Sequence, residues 1–267
     1  MSSGPGLASS AVPQAENGAL RGVTALVLAG GFGTRLRPAV GDTPKALAPV
    51  GGRPFLHYLL RYLSSHGVQD VVIGTGYGAE QIRTYCGDGA PWGLRVRYSH
   101  EAAPLGTGGA IKQAEGLVTS ERLLVMNGDS LVRADLDEVL AFHEQRAALG
   151  TIVLVRVPER ARFGSVALRE DGAIAGFAEK AAEGTGWISA GVYLLERGVV
   201  ADIPEGRQTS VEHEVFPRFV GRGLYGFTCP GEFLDIGTPD AYAAAQAFVP
   251  AWFGDPGNEQ AEGAVRG

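Results

Sequence analysis

Three glycines and an arginine follow directly on an apolar run near the start of the chain, where residues 28–37 read LAGGFGTRLR. Glycines allow the backbone to approach a ligand closely and to point N–H groups at anionic oxygens. Arg35 adds a planar, permanently charged group that suits phosphate. The dinucleotide pattern G-x-G-x-x-G is excluded because Leu36 occupies its last position, and no G-K-[ST] motif is present. A tight turn is the alternative, but glycines and Arg35 after a first strand favour phosphate binding.

A lysine ten residues beyond Arg35 is the next candidate for phosphate chemistry. Pro44 fixes the backbone beside Lys45 and the flanking residues are apolar, so Lys45 is placed to project into a pocket. On its own, such a lysine would be read as a solvated surface residue. Together with the glycine loop it completes the pattern G-G-x-G-T-R-L…P-K, and in this pattern the chain resembles the sugar nucleotidyltransferases (sugar-1-phosphate NTP transferases).

Five later segments extend this resemblance over nearly the whole chain, from Thr24 to Phe248. HEAAPLGTGGA (100–110) is similar to the family's base-binding loop, and MNGDS (126–130) to its metal-binding Asp segment. GFAEK (176–180) is similar to the Glu-Lys element for the sugar and its phosphate, and SAGVY (189–193) to the sugar-pocket strand. EFLDIGTP (232–239) is similar to the second metal-binding segment. An Asp at a strand end is often only a helix cap. Here Asp135 before Leu136 fills that role better, which leaves Asp129 for a cation.

The resemblance implies three sets of site residues. The nucleotide-binding set is Leu28, Ala29, Gly30, Gly31, Gly33, Thr34, Arg35, Glu101, Pro104, Gly106 and Thr107. The sugar-phosphate-binding set is Asn127, Gly128, Gly164, Glu179, Lys180, Ala190 and Gly191. The catalytic residues are Arg35, Lys45 and Asp129, and the implied cofactor is Mg²⁺, held by Asp129 and Asp235.

The reaction implied by the resemblance joins a sugar 1-phosphate to an NTP and gives an NDP-sugar and pyrophosphate. The attacking phosphate oxygen is already ionised at neutral pH, so neither a general base nor a covalent intermediate is needed. The protein then has to position two anions and neutralise their charge. Arg35 is expected to hold the departing pyrophosphate, and Lys45 to bridge toward the α-phosphate. Lys180 would meet the incoming sugar phosphate, with Glu179 on the sugar hydroxyls.

Two segments, PLGTGGAIK at 104–112 and FLDIGTPDAY at 233–242, are most similar within the family to the D-glycero-α-D-manno-heptose 1-phosphate guanylyltransferases. That subgroup tends to have Asn-Gly-Gly where residues 189–191 read SAG, and Ser-Phe-Glu where residues 210–212 read SVE. Both departures lie where the sugar is expected. Mannose, glucose and cyclitol 1-phosphates therefore stay open as alternatives to the heptose.

The choice of base depends on Glu101, at the start of the loop that resembles the base-binding segment. Guanine presents a ring N–H and an exocyclic NH₂ side by side, and these two donors match the two oxygens of a carboxylate. A buried carboxylate facing a base without such donors would be left unpaired, so GTP is expected to be preferred over UTP, CTP or ATP. The alternative is that Glu101 is a solvated loop acid without influence on the base.

Two rival functions belong to other classes of protein. A non-catalytic nucleotide-sugar sensor or regulatory subunit on the same fold would be favoured by loss of Arg35, Lys45 or either metal-binding Asp, and all four are present. A glycosyltransferase built on Asp135-x-Asp137 is the other rival. That pair opens an amphipathic helix and leaves the glycine loop unexplained.

Alternating strands and helices must position these residues. Apolar runs and period-2 alternation predict strands at Thr24–Ala29, Asp70–Gly74, Leu94–Ser99, Arg122–Met126, Trp187–Leu195 and Phe233–Ile236. Helical spacing predicts helices at Pro54–His66, Ala79–Tyr85, after Gly108, and at Leu136–Leu149, Val211–Val220 and Pro239–Phe248. Asp171-Gly172 predicts a hairpin. We expect an α/β fold in which a Rossmann-like, mostly parallel mixed sheet is flanked by helices. The resemblance implies the GT-A-like fold of nucleotidyltransferases, which adds a small antiparallel part that binds the sugar.

Composition and charge limit the remaining classes. The chain has 267 residues, 45% hydrophobic and 19% charged, which excludes disordered and fibrous proteins. A net charge of −6 without a basic tract argues against nucleic acid as a partner.

Cys86 and Cys229 form no metal motif, although a disulfide between them stays open. No signal peptide or membrane span is recognised, so a soluble cytoplasmic enzyme is expected, with homo-oligomerisation open. Residues 23–250 are expected to form the domain, and 1–22 and 251–267 flexible tails.

Overall fold

Most strands of the protein belong to one nine-stranded sheet. The structure, a computed structural model, describes residues 18–158, 164–178 and 184–254. The strands are β1 (Thr24–Ala29), β2 (Pro49–Val50), β3 (Arg53–Pro54), β4 (Asp70–Thr75), β5 (Arg95–His100), β6 (Arg122–Asn127), β7 (Ser130–Val132), β8 (Gly150–Val157), β9 (Ser165–Leu168), β10 (Ile174–Ala178), β11 (Gly186–Glu196), β12 (Leu224–Cys229) and β13 (Phe233–Asp235). The helices are α1 (Arg37–Val40), α2 (Phe55–Ser65), α3 (Ala79–Cys86), α4 (Gly106–Ala114), α5 (Leu136–Gln145), α6 (Arg197–Ala201) and α7 (Pro239–Trp252).

The order of the strands confirms the predicted mixed α/β sheet. It runs β10-β9-β11-β6-β1-β4-β5, with β8 paired to β11 and β12 paired to β8. The pairs β6–β1, β1–β4 and β4–β5 are parallel, as expected for strands connected through helices. Strand β11 joins β6 antiparallel, and β9 and β10 form an antiparallel hairpin. The turn of this hairpin lies at Asp171-Gly172, as predicted.

The sheet is buried on both faces, and successive residues of β1 point into two different apolar clusters. Val27 packs in the cluster that contains Leu59 of α2, whereas Leu26 packs in the cluster that contains Ile111 of α4. All four of these side chains are completely buried. This explains why β1 is a continuous apolar run rather than an alternating one.

Helix α5 is shorter than predicted because it ends at Gln145 and not at Leu149. Ala147 adopts a left-handed backbone with φ of +45°, and the N–H of Ala148 returns to the carbonyl of His143. This closing turn usually carries glycine at the left-handed position. An alanine there gives no sequence signal, so the pattern-based boundary was wrong by four residues.

The helix predicted at Val211–Val220 is also wrong as a regular helix. The chain forms a single wide π-type turn at Val211–Val215 and then a 3₁₀ segment at Phe216–Phe219. Pro217 lacks the N–H that an α-helix would need at that point, so regular hydrogen bonding cannot continue. Helix α4 begins at Gly106, three residues earlier than predicted, because the prediction placed its start after Gly108.

Both predicted tail boundaries need correction. Leu20 is only 1% exposed, so the packed part of the chain begins before residue 23. At the other end, α7 continues to Trp252. The two cysteines, Cys86 and Cys229, are free and buried, so the structure contains no disulfide between them. Among the described residues, no helix is both long and apolar enough to span a membrane.

The last helix packs on the short hairpin β2–β3 that follows Lys45. Gln246 donates from Nε2 to the carbonyl of Pro49 at 3.0 Å, and its Oε1 accepts from the N–H of Gly51 at 3.1 Å. Gly51 has a φ of +54°, and a Cβ there would lie 2.1 Å from Cγ of Pro250. The backbone of the hairpin therefore packs directly on side chains of α7.

A buried histidine makes the stability of this fold depend on pH. His143 is 1% exposed, with Nδ1 2.8 Å from Oγ1 of Thr151 and Nε2 3.2 Å from Oε1 of Glu196. Glu196 is already paired with Arg122 at 2.8 Å. Burial lowers the pKa of His143 below its ordinary value, although Glu196 acts in the opposite direction. The folded protein therefore holds a neutral imidazole more readily than an imidazolium.

We predict that the free energy of unfolding falls as the pH decreases from about 7 to about 5, because the unfolded chain takes up a proton at His143 before the folded chain does. In His143→Gln, which does not titrate, this part of the loss should disappear. Urea denaturation of both proteins across the pH range provides the measurement. Parallel stability curves for the two proteins would contradict the assignment.

Candidate active site

The site is built at the carboxyl edge of β1 and β6. These strands are parallel neighbours with Leu28 opposite Asn127, so the loops that follow them leave the sheet side by side. The N–H of Gly128 donates to the carbonyl of Leu28 at 2.9 Å. A Cβ on Gly128 would lie 2.7 Å from that same carbonyl oxygen, so glycine is required for this close approach.

Lys45 is positioned by the turn that it starts. Residues 45–47 form one 3₁₀ turn in which Ala46 is 3% exposed and anchors the backbone. Pro44 packs directly on Gly78, where a Cβ would come within 2.1 Å of the proline ring. The Lys45 stem passes Gly33, where a Cβ would lie 3.0 Å from the lysine Cβ. The side chain of Lys45, which was predicted to project into a pocket, is 12% exposed and lines a cavity.

The Lys45 ammonium group lies between the two aspartates that were predicted to bind metal. Its Nζ is 2.6 Å from Oδ2 of Asp129 and 3.6 Å from Oδ1 of Asp235. Asp235 reaches this place because β13 pairs antiparallel with β7, which sets Asp235 opposite Ser130. The N–H of Ile236 closes the arrangement by donating to the carbonyl of Asp129 at 3.0 Å. Two segments about a hundred residues apart thus present both carboxylates to one cation.

The smaller of two cavities at this edge has a volume of about 280 Å³. It is lined by Leu28, Ala29, Gly30, Gly31, Phe32, Lys45, Ala46, Glu101, Pro104, Gly106, Thr107, Ala110, Asn127, Gly128 and Asp129. Backbone from the glycine loop and from the N-terminus of α4 contributes to its wall. The glycine loop is suited to anionic groups, whereas the N–H groups of Gly108 and Gly109 in α4 already donate to the carbonyl of Thr209.

Glu101 is half-buried in the wall of the smaller cavity. Its Oε2 accepts a hydrogen bond from the N–H of Leu105 at 2.9 Å, which fixes the carboxylate. Its Oε1 lies over Gly30, where a Cβ would be 2.6 Å away. Burial raises the pKa of Glu101, and the Leu105 N–H partly counteracts this. Glu101 is therefore a positioned acid and differs from the solvated loop acid that was the alternative.

The larger cavity, of about 470 Å³, meets the smaller one at Asn127 and Asp129, which line both. It is lined by Arg35, Asn127, Asp129, Ser130, Gly164, Ser165, Val166, Phe177, Ala178, Ser189, Ala190, Gly191, Glu212, His213, Pro217, Phe233 and Asp235. Strand β11 bulges here. Ser189 pairs with Leu154 of β8 and Tyr193 with Ile152 of β8, so the residues between them do not pair with β8. Gly191, within this bulge, takes a φ of +73°.

A chain of hydrogen bonds orients Glu212 in the larger cavity. The hydroxyl of Tyr193 donates to Oε1 of Glu212 at 2.6 Å and accepts from Oγ of Ser189 at 3.4 Å. Burial raises the pKa of Tyr193, so the phenol stays protonated and acts as a donor. Ser189 also accepts from the N–H of Gly191 at 3.2 Å. Glu212 thereby presents an acceptor of fixed orientation to this cavity.

The two cavities bring together most of the predicted site residues. Gly128, predicted to bind the sugar phosphate, lines the smaller cavity, and Arg35, predicted to bind the nucleotide, lines the larger one. Gly33 gives room to Lys45, and Thr34 is exposed; neither lines a cavity. Glu179 and Lys180 lie outside the described residues.

Several residues of the larger cavity were not in the predicted set. They are Ser130, Ser165, Val166, Phe177, Ala178, Ser189, Glu212, His213, Pro217 and Phe233. Ser189 and Glu212 had a sequence signal, since both lie in the segments that depart from the heptose subgroup. Phe177, Ala178 and Phe233 lie in the segments GFAEK and EFLDIGTP that carry the resemblance. Val166 and Pro217 had no signal, because a cavity wall and a protein core have the same composition.

The fold and the paired cavities are those of a nucleotide-dependent transferase, and comparison with known families agrees. Residues 24–251 match the family model described as nucleotidyl transferase, so the chain belongs to the nucleotidyl transferase family.

Two relatives and one solved structure extend the comparison. The mannose-1-phosphate guanylyltransferase of Mycobacterium tuberculosis is 40% identical over 84% of this chain, which spans only 64% of that relative's length. The D-glycero-α-D-manno-heptose 1-phosphate guanylyltransferase of Aneurinibacillus thermoaerophilus is 39% identical over 83% of this chain and 96% of its own. The crystal structure of HddC from Yersinia pseudotuberculosis complexed with GMP-PN is 33% identical, covers 84% of this chain and 98% of its own, and has a TM-score of 0.74.

We predict that the close approach of β1 and β6 tolerates no added methyl group. Gly128→Ala should lower the free energy of unfolding by about 1–3 kcal/mol, because its Cβ would press on backbone that cannot move aside. Gly31→Ala is the matched control: it lines the same cavity, nothing lies within 4 Å of its Cβ position, and its effect should stay within about 0.5 kcal/mol. Urea unfolding measures both, and equal effects would refute the packing argument.

Proposed function

We propose that this protein is a sugar-1-phosphate guanylyltransferase, which joins GTP and a sugar 1-phosphate to give a GDP-sugar and pyrophosphate. The observation that carries the proposal is the junction of two cavities at Asp129, with Lys45 beside it. A reaction between two anionic substrates needs two adjoining sites and a cation where they meet. The guanylyltransferase relatives and the neighbour with GMP-PN support the same reaction.

In the proposed mechanism the nucleotide occupies the smaller cavity and the sugar phosphate the larger one. The N–H groups of the glycine loop face the phosphates. Lys45, at the junction, neutralises charge at the α-phosphate as the sugar phosphate oxygen attacks. Arg35, at the larger cavity, reduces the repulsion between the two anions as they approach each other. No proton has to be removed from the nucleophile, so positioning and charge carry the catalysis.

Mg²⁺ is the proposed cofactor, and Asp129 and Asp235 fit it. Carboxylate oxygens are the ligands it prefers, and it is usually held by one or two of them together with substrate phosphates. In the described parts of the chain, no group of three or more His, Cys, Asp or Glu side chains is placed to hold a metal ion. When bound, the ion supplies charge stabilisation to the transferring phosphoryl group.

Heptose 1-phosphate is the first candidate for the sugar, because the heptose relative matches over nearly its whole length. Mannose 1-phosphate is the second candidate, because the mannose relative is the more identical of the two. Ser189 and Glu212 are the residues expected to decide between them, since both line the larger cavity and Glu212 is held as an acceptor for hydroxyl groups.

We predict pyrophosphate release when the protein is incubated with Mg²⁺, GTP and one member of a panel of sugar 1-phosphates. Asp235→Asn should lower kcat by about a hundredfold or more, because an amide is a poor Mg²⁺ ligand. Asp202→Asn, an exposed aspartate paired with Arg218 outside both cavities, is the control and should keep the wild-type rate. No release with any sugar 1-phosphate and NTP would refute the function.

We predict that Glu101 sets the preference for guanine. Glu101→Gln should lower the ratio of kcat/KM for GTP to that for ATP by about tenfold or more, because the amide replaces one of two acceptors by a donor. Steady-state kinetics with both nucleotides provide the ratio. A wild type that prefers another NTP, or an unchanged ratio in the variant, would remove Glu101 from base recognition and leave the reaction class intact.

A further inference from the structure

We propose that Lys45 is a built-in counter-cation, which occupies the place between Asp129 and Asp235 in the free protein and keeps divalent metal from binding there before the nucleotide. The inference rests on the proposed function, because it takes the two aspartates as the metal-binding pair. It goes further in assigning Lys45 a role in the order of binding, in addition to its contact with phosphate.

The geometry shows one ammonium group shared between two carboxylates. Nζ of Lys45 is 2.6 Å from Asp129 and 3.6 Å from Asp235, and the lysine side chain is 12% exposed while the carboxylates are 39% and 24% exposed. Lys45 is therefore the most buried of the three side chains. Charges in such a partly buried position interact more strongly than charges in bulk water.

Two glycines make room for the lysine at both ends of its side chain. A Cβ on Gly33 would lie 3.0 Å from Cβ of Lys45, and a Cβ on Gly237 would lie 3.1 Å from its Nζ. The same Cβ on Gly237 would be 2.6 Å from Oδ1 of Asp235, whose carboxylate accepts from the N–H of Gly237. The lysine thus fills a position that is shaped for it and does not merely extend into open solvent.

A metal ion that enters the free protein must compete with this tethered charge. It either displaces Nζ, which then loses both partners, or shares the carboxylates with a cation beside it. Both alternatives weaken metal binding. A nucleotide changes this balance, because its phosphate oxygens offer the Lys45 ammonium another anionic partner. Binding of metal and binding of nucleotide must then strengthen each other by the same factor.

The coupling has a consequence for the order of loading. Removal of the positive charge at Lys45 should impair turnover and, at the same time, improve the binding of metal to the free protein. A residue that acts only on substrate phosphate would leave metal affinity in the absence of nucleotide unchanged. The two roles are therefore separated by a measurement without nucleotide.

The test measures binding of Mn²⁺, which uses the same oxygen ligands as Mg²⁺, to the protein alone by electron paramagnetic resonance of the free ion. We expect Lys45→Met to bind Mn²⁺ at least tenfold more tightly than wild type. Lys112→Met is the matched control, because the Lys112 side chain is similarly shielded and also pairs with an acid, Glu115. Neither Lys112 nor Glu115 lines either cavity. The Mn²⁺ affinity of the Lys112→Met protein should therefore equal that of wild type. Adding Asp235→Asn to Lys45→Met should abolish the gain.

Lys45→Gln provides the same test with an uncharged side chain that still donates hydrogen bonds, in case Lys45→Met does not fold. Lys45→Gln should also bind Mn²⁺ more tightly than wild type, and its Tm should rise more than the wild-type Tm when Mn²⁺ is added. Equal or weaker Mn²⁺ binding in the folded Lys45 variant would overturn the inference. Because no nucleotide or sugar is present, this result is independent of pyrophosphate release, which tests the proposed function.

Discussion

The parallel pairing of β1 with β6 is the constraint on which the site depends. With Leu28 opposite Asn127, the glycine loop and the Asp129 segment leave the same edge of the sheet at the same height. Strand β11 pairs with the other side of β6, which brings the bulge at Gly191 to that edge as well. A shift of register by one residue would separate these loops and reverse the faces of the strands. Packing of the sheet and alignment of the site are therefore the same requirement.

The second requirement is electrostatic. The chain carries a net charge of −6, and the centre of its site holds two carboxylates, yet the proposed substrates are anions. Lys45 resolves this conflict locally, because one ammonium group faces both acids at the junction of the cavities. The overall charge of a protein thus says little about the ligands of one pocket, where a single cation at close range exceeds the effect of distant charges.

Most of the fold could be predicted from the sequence, because buried strands and amphipathic helices follow from apolar patterns. Strand β1 and helix α2 were predicted within a residue of their ends. The end of α5 was not, because its left-handed residue is Ala147 and no glycine marks the stop.

Within the site, motifs identified Lys45 and Asp129, but nothing local could predict that their side chains form an ion pair. That contact depends on the relative position of two loops that only the folded sheet determines. The same holds for the division of residues between the cavities, in which Arg35 lines the larger cavity and Gly128 the smaller one.

The contact between α7 and the hairpin β2–β3 connects the last helix with the turn that carries Lys45. Gln246 holds the backbone of Pro49 and Gly51, and this hairpin follows that turn. Pro49 and Gln246 are 197 positions apart in the sequence. Under the proposed mechanism, selection for turnover therefore extends to α7 as well as to the glycine loop.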